Sequence, residues 1–317
     1  MQVAQPLQEF MIKEFFKFVH ERQKIWYKRF VLKQPYPWTE DKVLQQYKFC
    51  NVYRELDKGT AVFINKVKES KLNREELFFN TVLYRTFNSL LYLEVAFPVK
   101  LGFDLEELYS RLSVYKGKGL YNDAYVIKPP EMSNYRLDDK TYQNLLRAKW
   151  IEEHLSELLN QIDNAETPEQ SFEIILRIPY VGTFLGYEIW TDLTYFNFFK
   201  QGWSDNDFVN LGPGAIWGLA LMSGLEKPQK ELREGYKGLG VELTKWLRDT
   251  QEYWFNKLYE EGLIEPKWEE IAYKEAFSNT PYLSLRNIEH SLCEFRKYWR
   301  LKQGKGKKRK FTPRLEV

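Results

Sequence analysis

The sequence has few of the residues that build covalent or metal-bound frameworks. It holds two cysteines, Cys50 and Cys293, and three histidines, and the cysteines form no CxxC pair. That count argues against structural zinc and iron–sulfur frameworks, so no metal or other cofactor is expected, and it fits a reducing compartment. No apolar run approaches the roughly 18 residues of a membrane span. The opening Met1-Gln-Val-Ala-Gln-Pro6 lacks the basic and apolar regions of a signal peptide. The expectation is a soluble, cytoplasmic protein without a membrane partner. Charge of one sign is scarce too: 47 Lys and Arg face 44 Asp and Glu, a net charge of +3. A polyanion must then be held by a local patch rather than by the field of the whole molecule.

Aromatic side chains are abundant, at 17% of the 317 residues, and the chain is long enough to bury a sizeable core. Their spacing is helical, with almost no period-2 alternation, so the fold class is read as all-α. Helices are expected over 6–31, from an N-cap at Thr39 through Asn51, Arg54 and Asp57, and over 75–94, 104–112, 141–161 and 168–177. Further helices are expected from 183, from 213, and over 228–236, 241–259, 268–277 and 284–301. The one strand-like run is 124–127. The reading is a single helical domain over 1–303, with 1–165 and 166–303 as its sub-lobes, and a basic tail over 304–317. That tail carries Lys305-Gly-Lys-Lys-Arg-Lys310 and is expected to be mobile at its end.

The stretch 176–219 organises the chain. An apolar segment stops at Pro179, turns at Gly182 and restarts at Thr183, the pattern of two short helices joined by a hairpin. A helix starting after a glycine turn offers free backbone N–H groups and a positive dipole end to a phosphate. Tyr180, Val181, Gly182 and Thr183 are therefore candidate phosphate contacts, and so are Gly212 and Gly214 at the Gly-Pro-Gly start of the next helix. Asp207, Asp205 and Asp192 are the candidate catalytic carboxylates, in that order, able to orient water and offset charge on a sugar cation. The bland use of the first two is as loop and N-cap residues. A lone acid such as Asp192 in an apolar helix is either paired in the core or functional. A hairpin followed by an acid is a layout that DNA base-excision enzymes use. Phe184 stands where the lyase-type enzymes carry a lysine, which points to water as the nucleophile.

Two further groups stand out. Near the N-terminus, Asn51, Arg54, Trp38, Asp57 and Tyr84 are candidates for lining a base pocket, with an Arg–Asp core pair as the structural alternative. Near the C-terminus, His290 and Glu294 are i, i+4 and read as a solvated ion pair, too few ligands for a metal. Lys297 and Arg300, with the tail behind them, form the one basic concentration, suited to backbone phosphates.

Three blocks together resemble one family over nearly the whole chain. They are Pro37-Trp-Thr-x-Asp41 with Phe49-x-Asn-x-Tyr-Arg-x-x-Asp57; the hairpin with Asp192-Leu and Gly212-Pro-Gly-Ala215; and Glu289-His-x-Leu-Cys-Glu-Phe-x-Lys-Tyr298. The pattern is similar to that of the alpha-glutamyl/putrescinyl thymine pyrophosphorylases, close to the helical domain attached to 5-hydroxymethyluracil DNA kinases. Tyr180 departs from the usual hairpin, which has glycine there. The resemblance implies a branch of the helix-hairpin-helix DNA glycosylase superfamily, whose phage members are linked to DNA hypermodification. No P-loop (GxxxxGK[ST]) is present, so a stand-alone form is implied. The resulting expectation is a monofunctional DNA glycosylase, a hydrolase that flips a modified pyrimidine out of double-stranded phage DNA and excises it, in anti-phage defence, with no obligate protein partner. Two alternatives stay open: a pyrophosphorylase-type hypermodification enzyme, and a non-catalytic module that binds modified DNA.

Overall fold

The computed structural model describes residues 7–122, 129–233, 235–274, 280–307 and 309–312. The strand-like run at 124–127 lies outside these residues, as do 275–277 of an expected helix and Lys308 of the tail. In chain order the helices are α1 (Glu9–Trp26), α2 (Lys42–Gln46), α3 (Lys58–Ser70), α4 (Arg74–Phe87), α5 (Leu90–Val95), α6 (Leu105–Ser113) and α7 (Lys140–Asp163). They continue with α8 (Pro168–Ile175), α9 (Thr183–Thr194), α10 (Pro213–Met222), α11 (Leu239–Glu260), α12 (Trp268–Ile271) and α13 (Leu285–Lys302). Among the described residues no strand forms, so the all-α reading holds, and no helix is long and apolar enough to cross a membrane.

Local chemistry sets most of the boundaries. Asp104 accepts the Glu107 N–H, Asp139 the Thr141 and Tyr142 N–H groups, and Ser284 the Asn287 N–H, each closing a helix start with a side-chain cap. Asn73 and Glu76 cap α4 reciprocally. The single helix expected over 75–94 is two, because Asn88 takes φ 48° after α4 and the Ser89 hydroxyl accepts the Tyr92 N–H to start α5. The long helix expected after Thr39 is also absent. Asp41 caps only the short α2, and Tyr47 then turns extended and forms an antiparallel bridge with Lys310. The Lys48 N–H donates to Arg309 O and the Phe311 N–H to Gln46 O, at 2.9 and 2.8 Å. Residues 309–311 are thus tied down, a correction to the mobile tail.

The chain forms two compact units that do not follow chain order. Unit 1 joins Met1–Asp57 to Phe208–Val317, and unit 2 is the intervening Lys58–Asp207. The division lies at 57/58 and 207/208 rather than at 165/166. The latter point falls between α7 and α8, which pack together.

In unit 1, α10 is apolar all round and lies along α13. The approach is close: a Cβ on Gly218 would stand 2.6 Å from Leu292 O, and one on Gly214 2.2 Å from Cys293 Sγ. Phe15, Phe16, Phe255, Trp268 and Phe295 fill the space between α1, α11, α12 and α13, with Trp268 stacked on Phe255 at 4.2 Å. In unit 2, α4 packs on α7 and α9, and the Trp190 Nε1–H donates to Ser171 Oγ, fastening α9 to α8.

Candidate functional site

The blocks 49–57 and 289–298, far apart in sequence, meet in unit 1. Asn287, on the first turn of α13, accepts the Arg54 N–H through Oδ1 at 2.9 Å. Glu294, about two turns further along the same face, accepts the Cys50 N–H at 3.2 Å and the Lys297 ammonium at 2.6 Å. Behind them Arg22, buried on α1, donates to the carbonyls of Phe49 and Cys50. These bonds hold a segment whose own regular structure is a single 3-10 turn over Arg54–Leu56. Asp57 turns back on it: Oδ1 accepts the Asn51 N–H at 3.0 Å, and the Asn51 amide donates to Leu56 O at 2.8 Å. The other carboxylate oxygen, Oδ2, lies 3.5 Å from His290 Nε2. Cys50 completes the group: one ligand-type atom each from Cys50, Asp57 and His290 all lie within 4.8 Å of one another.

The electrostatics of this face follow from burial and pairing. Burial lowers the pKa of the Arg22 guanidinium, with Cys50, Glu294 and Asp57 acting against it. Burial also works against the Lys297 charge, but the Glu294 carboxylate and the Cys293 thiol prevail and raise its pKa. The Cys293 thiol is pushed up, by burial first. His290 pairs with Asp57 rather than with Glu294, and Glu294 is 4% exposed, which corrects the solvated His290–Glu294 pair. The acid one turn on from His290, Glu294, is already engaged as above, and the neighbouring Glu289 is engaged by Arg286 (2.6 Å) and the Gly212 N–H (3.3 Å). Cys50 escaped the sequence reading because it occupied the unspecified place in Phe49-x-Asn; a thiol beside a shared block was the available signal.

Trp38 is placed on the wall of a cleft of about 1060 Å³ in unit 1. Its indole N–H donates to Gln34 O, and its ring meets Tyr36 and Phe311 edge-on. Lys17, Lys24 and Lys28 line the cleft, but Glu14, Glu21 and Asp41 line it too, so its charge is mixed. Asp41 there accepts the Tyr298 hydroxyl at 2.7 Å. Lys297 is held by Glu294, whereas Arg300 is exposed.

The remaining candidates lie in unit 2, apart from Gly212 and Gly214, which serve the α10–α13 contact in unit 1. The hairpin is present, with α9 beginning at Thr183 and Gly182 as its N-cap. Tyr180 takes φ 59° at the place where the usual motif has glycine, and its hydroxyl donates to Glu131 O. A Cβ on Gly186 would stand 2.6 Å from Leu176, so the glycine lets the hairpin close. Val181 is buried and Phe184 is 45% exposed. Asp192 is fully buried, bonded by Arg85 through Nε (2.5 Å) and Nη2 (2.7 Å), with Glu188 3.3 Å from Nη1 of the same guanidinium. Asp192 is thus paired in the core of unit 2. Asp207 is exposed and accepts the Ser204 N–H and hydroxyl at 2.8 and 2.7 Å, fixing its own turn, while Asp205 is buried. Tyr84 is core, stacked on Phe63 at 4.2 Å.

Comparison with known proteins gives these sites a context. Residues 9–308 match the family described as "5-hmdU DNA kinase, helical domain". A relative described as a 5-hmdU DNA kinase, from Bacillus phage SP10, is 31% identical over 221 residues, which is 63% of this chain and 34% of the relative. The match thus spans about a third of that protein's length. No solved structure matches. The findings overturn the expectation of a glycosylase and of N-glycosyl hydrolysis. The relative is named as a kinase, and phosphoryl transfer leaves the glycosidic bond intact. They also place the chain with enzymes of modified-thymine DNA rather than with the glycosylase superfamily. The chain belongs to the family of the 5-hmdU DNA kinase helical domain.

Proposed function

We propose that this chain acts on DNA carrying 5-hydroxymethyluracil, or a base made from it, at a step of thymine hypermodification. The observation that carries this reading is the family match over 9–308, which includes both blocks that assemble around Cys50, Asp57 and His290. The step that fits best is displacement of pyrophosphate from an activated 5-methylene by an amine. The amine nitrogen forms a bond to the methylene carbon, the carbon–oxygen bond breaks, and pyrophosphate leaves with the electron pair while the amine gives up a proton. Such a reaction needs a group that stabilises the leaving oxygen and one that takes the proton. The 49–57 and 289–298 face offers charged and proton-accepting groups of both kinds. The 317 residues contain no P-loop motif, so the activating phosphorylation is not assigned to them.

The test is incubation with DNA containing pyrophosphorylated 5-hydroxymethyluracil, together with putrescine or glutamate, followed by mass analysis of the nucleosides. A new nucleoside that keeps its deoxyribose, formed with an equal amount of pyrophosphate, is expected. Unchanged DNA would sink the reading. Binding that follows the modification without any new nucleoside would replace it with a recognition module.

A further inference from the structure

We propose that Cys50, Asp57 and His290 form a three-ligand site for a zinc-class divalent cation, with a fourth position left for water or a substrate oxygen. Three observations on unit 1 carry this. First, the donor set is one thiol, one carboxylate and one imidazole, with all three ligand-type atoms within 4.8 Å of one another. Atoms bound to one tetrahedral zinc stand about 3.4 Å apart, given zinc–ligand bonds of about 2.0–2.3 Å. The 3.5 Å between Asp57 Oδ2 and His290 Nε2 is already that separation. Second, His290 Nε2 is shielded from solvent, and its 3.5 Å approach to Asp57 Oδ2 is an ion-pair distance that makes no hydrogen bond among the described residues. A shielded imidazole nitrogen left in this way is costly unless a ligand meets it.

Third, the surroundings orient the ligands as outer partners do in metal sites. The Asn51 N–H holds Asp57 Oδ1, which directs Oδ2 to His290. Cys50 is fixed on both sides of its backbone, by Glu294 at its N–H and by Arg22 at its carbonyl. Two cations, Arg22 and Lys297, stand near Cys50. Arg22 bonds the carbonyls of Phe49 and Cys50, and Lys297 bonds Glu294. A Cys50 thiolate and an Asp57 carboxylate balance the two charges of the ion, and a neutral His290 completes the set. Softer thiolate with imidazole selects zinc over magnesium or calcium.

The test is a cobalt titration of the full chain after treatment with a chelator. One equivalent of Co²⁺ should bind with a thiolate-to-cobalt charge-transfer band and be displaced by Zn²⁺. The band should persist in Cys293→Ser and vanish in Cys50→Ser. His290→Ala should weaken Zn²⁺ binding at least about 100-fold, because loss of even an outer partner costs about 10–100-fold. Circular dichroism checks that each variant keeps its helices. Two outcomes overturn the site: no charge-transfer band in the unmutated chain, or a band that survives Cys50→Ser. The readout needs no DNA, so it stands or falls separately from the proposed reaction.

Discussion

His20 is a buried base that the fold keeps neutral. It is 1% exposed, and its Nε2 lies 2.7 Å from Pro266 O, an acceptor that the neutral imidazole satisfies by donating. Burial holds its pKa down at about 4, against 6.5 in the open. Between these values the unfolded chain binds the proton and the folded chain does not. Stability from this group is therefore fully present above pH 6.5 and is lost as the pH falls to about 4. The difference is on the order of 3 kcal/mol. Urea denaturation at pH 7 and at pH 4.5 should show the loss, and His20→Gln, which keeps a neutral donor, should flatten it. Equal pH slopes in both proteins would remove His20 as the cause. Residue chemistry of this kind is only half legible in sequence. Asp192 in an apolar helix had to be paired or functional, but its partner Arg85 lies 107 residues away. Likewise His290 has Glu294 on its own helix face, but the acid it meets, Asp57, comes from the other end of the chain.

Helices were legible where a local signal starts them. Asp104, Asp139 and Ser284 cap within three residues, so α6, α7 and α13 begin within a residue or two of expectation. The segment after Asp41 failed for the opposite reason. Its residues have helical spacing, but Tyr47 finds a backbone partner in Lys310, and a bond of that range leaves no trace in a local window. The α10–α13 pair rests on small residues that sequence showed only as a Gly-Pro-Gly start. Gly218 faces backbone, which cannot rotate away, so Gly218→Ala should force the two helices apart and destabilise unit 1 by about 1–3 kcal/mol. Gly224→Ala, at φ 73° and with a Cβ 2.2 Å from the Gln8 side chain, would test backbone strain together with crowding by a side chain that can move, and is not equivalent. A denaturant midpoint unchanged by Gly218→Ala would mean that the contact is loose.

At the scale of the molecule, the sequence suggested a body divided in chain order, and the structure interleaves it. Nothing local distinguishes Asp57–Lys58 as a boundary, because what separates the units is the set of contacts each keeps to itself. Unit 2 is continuous and has its own core, including Phe78, Phe79, Ile151, Phe172 and Trp190. Residues 58–207 expressed alone should therefore unfold cooperatively, as a domain of ordinary size does. A broad, non-cooperative transition would show that they need the rest of the chain. Residues 1–57 alone should stay unfolded, since α1 finds its partners in α11, α12 and α13.

The interleaving also fixes an order of events during synthesis. Residues 1–57 leave the ribosome before unit 2, but the helices they pack on are translated after the whole of it. The apolar face of α1, with Phe15, Phe16 and Val19, must wait through 150 intervening residues, 58 to 207, before its cover begins to arrive. Cys50 and Asp57 wait longer still, until His290 has been added. A nascent chain stalled between the end of unit 2 and α13 would carry a finished insert and no assembled site, and its exposed aromatic face would make it a client for chaperones.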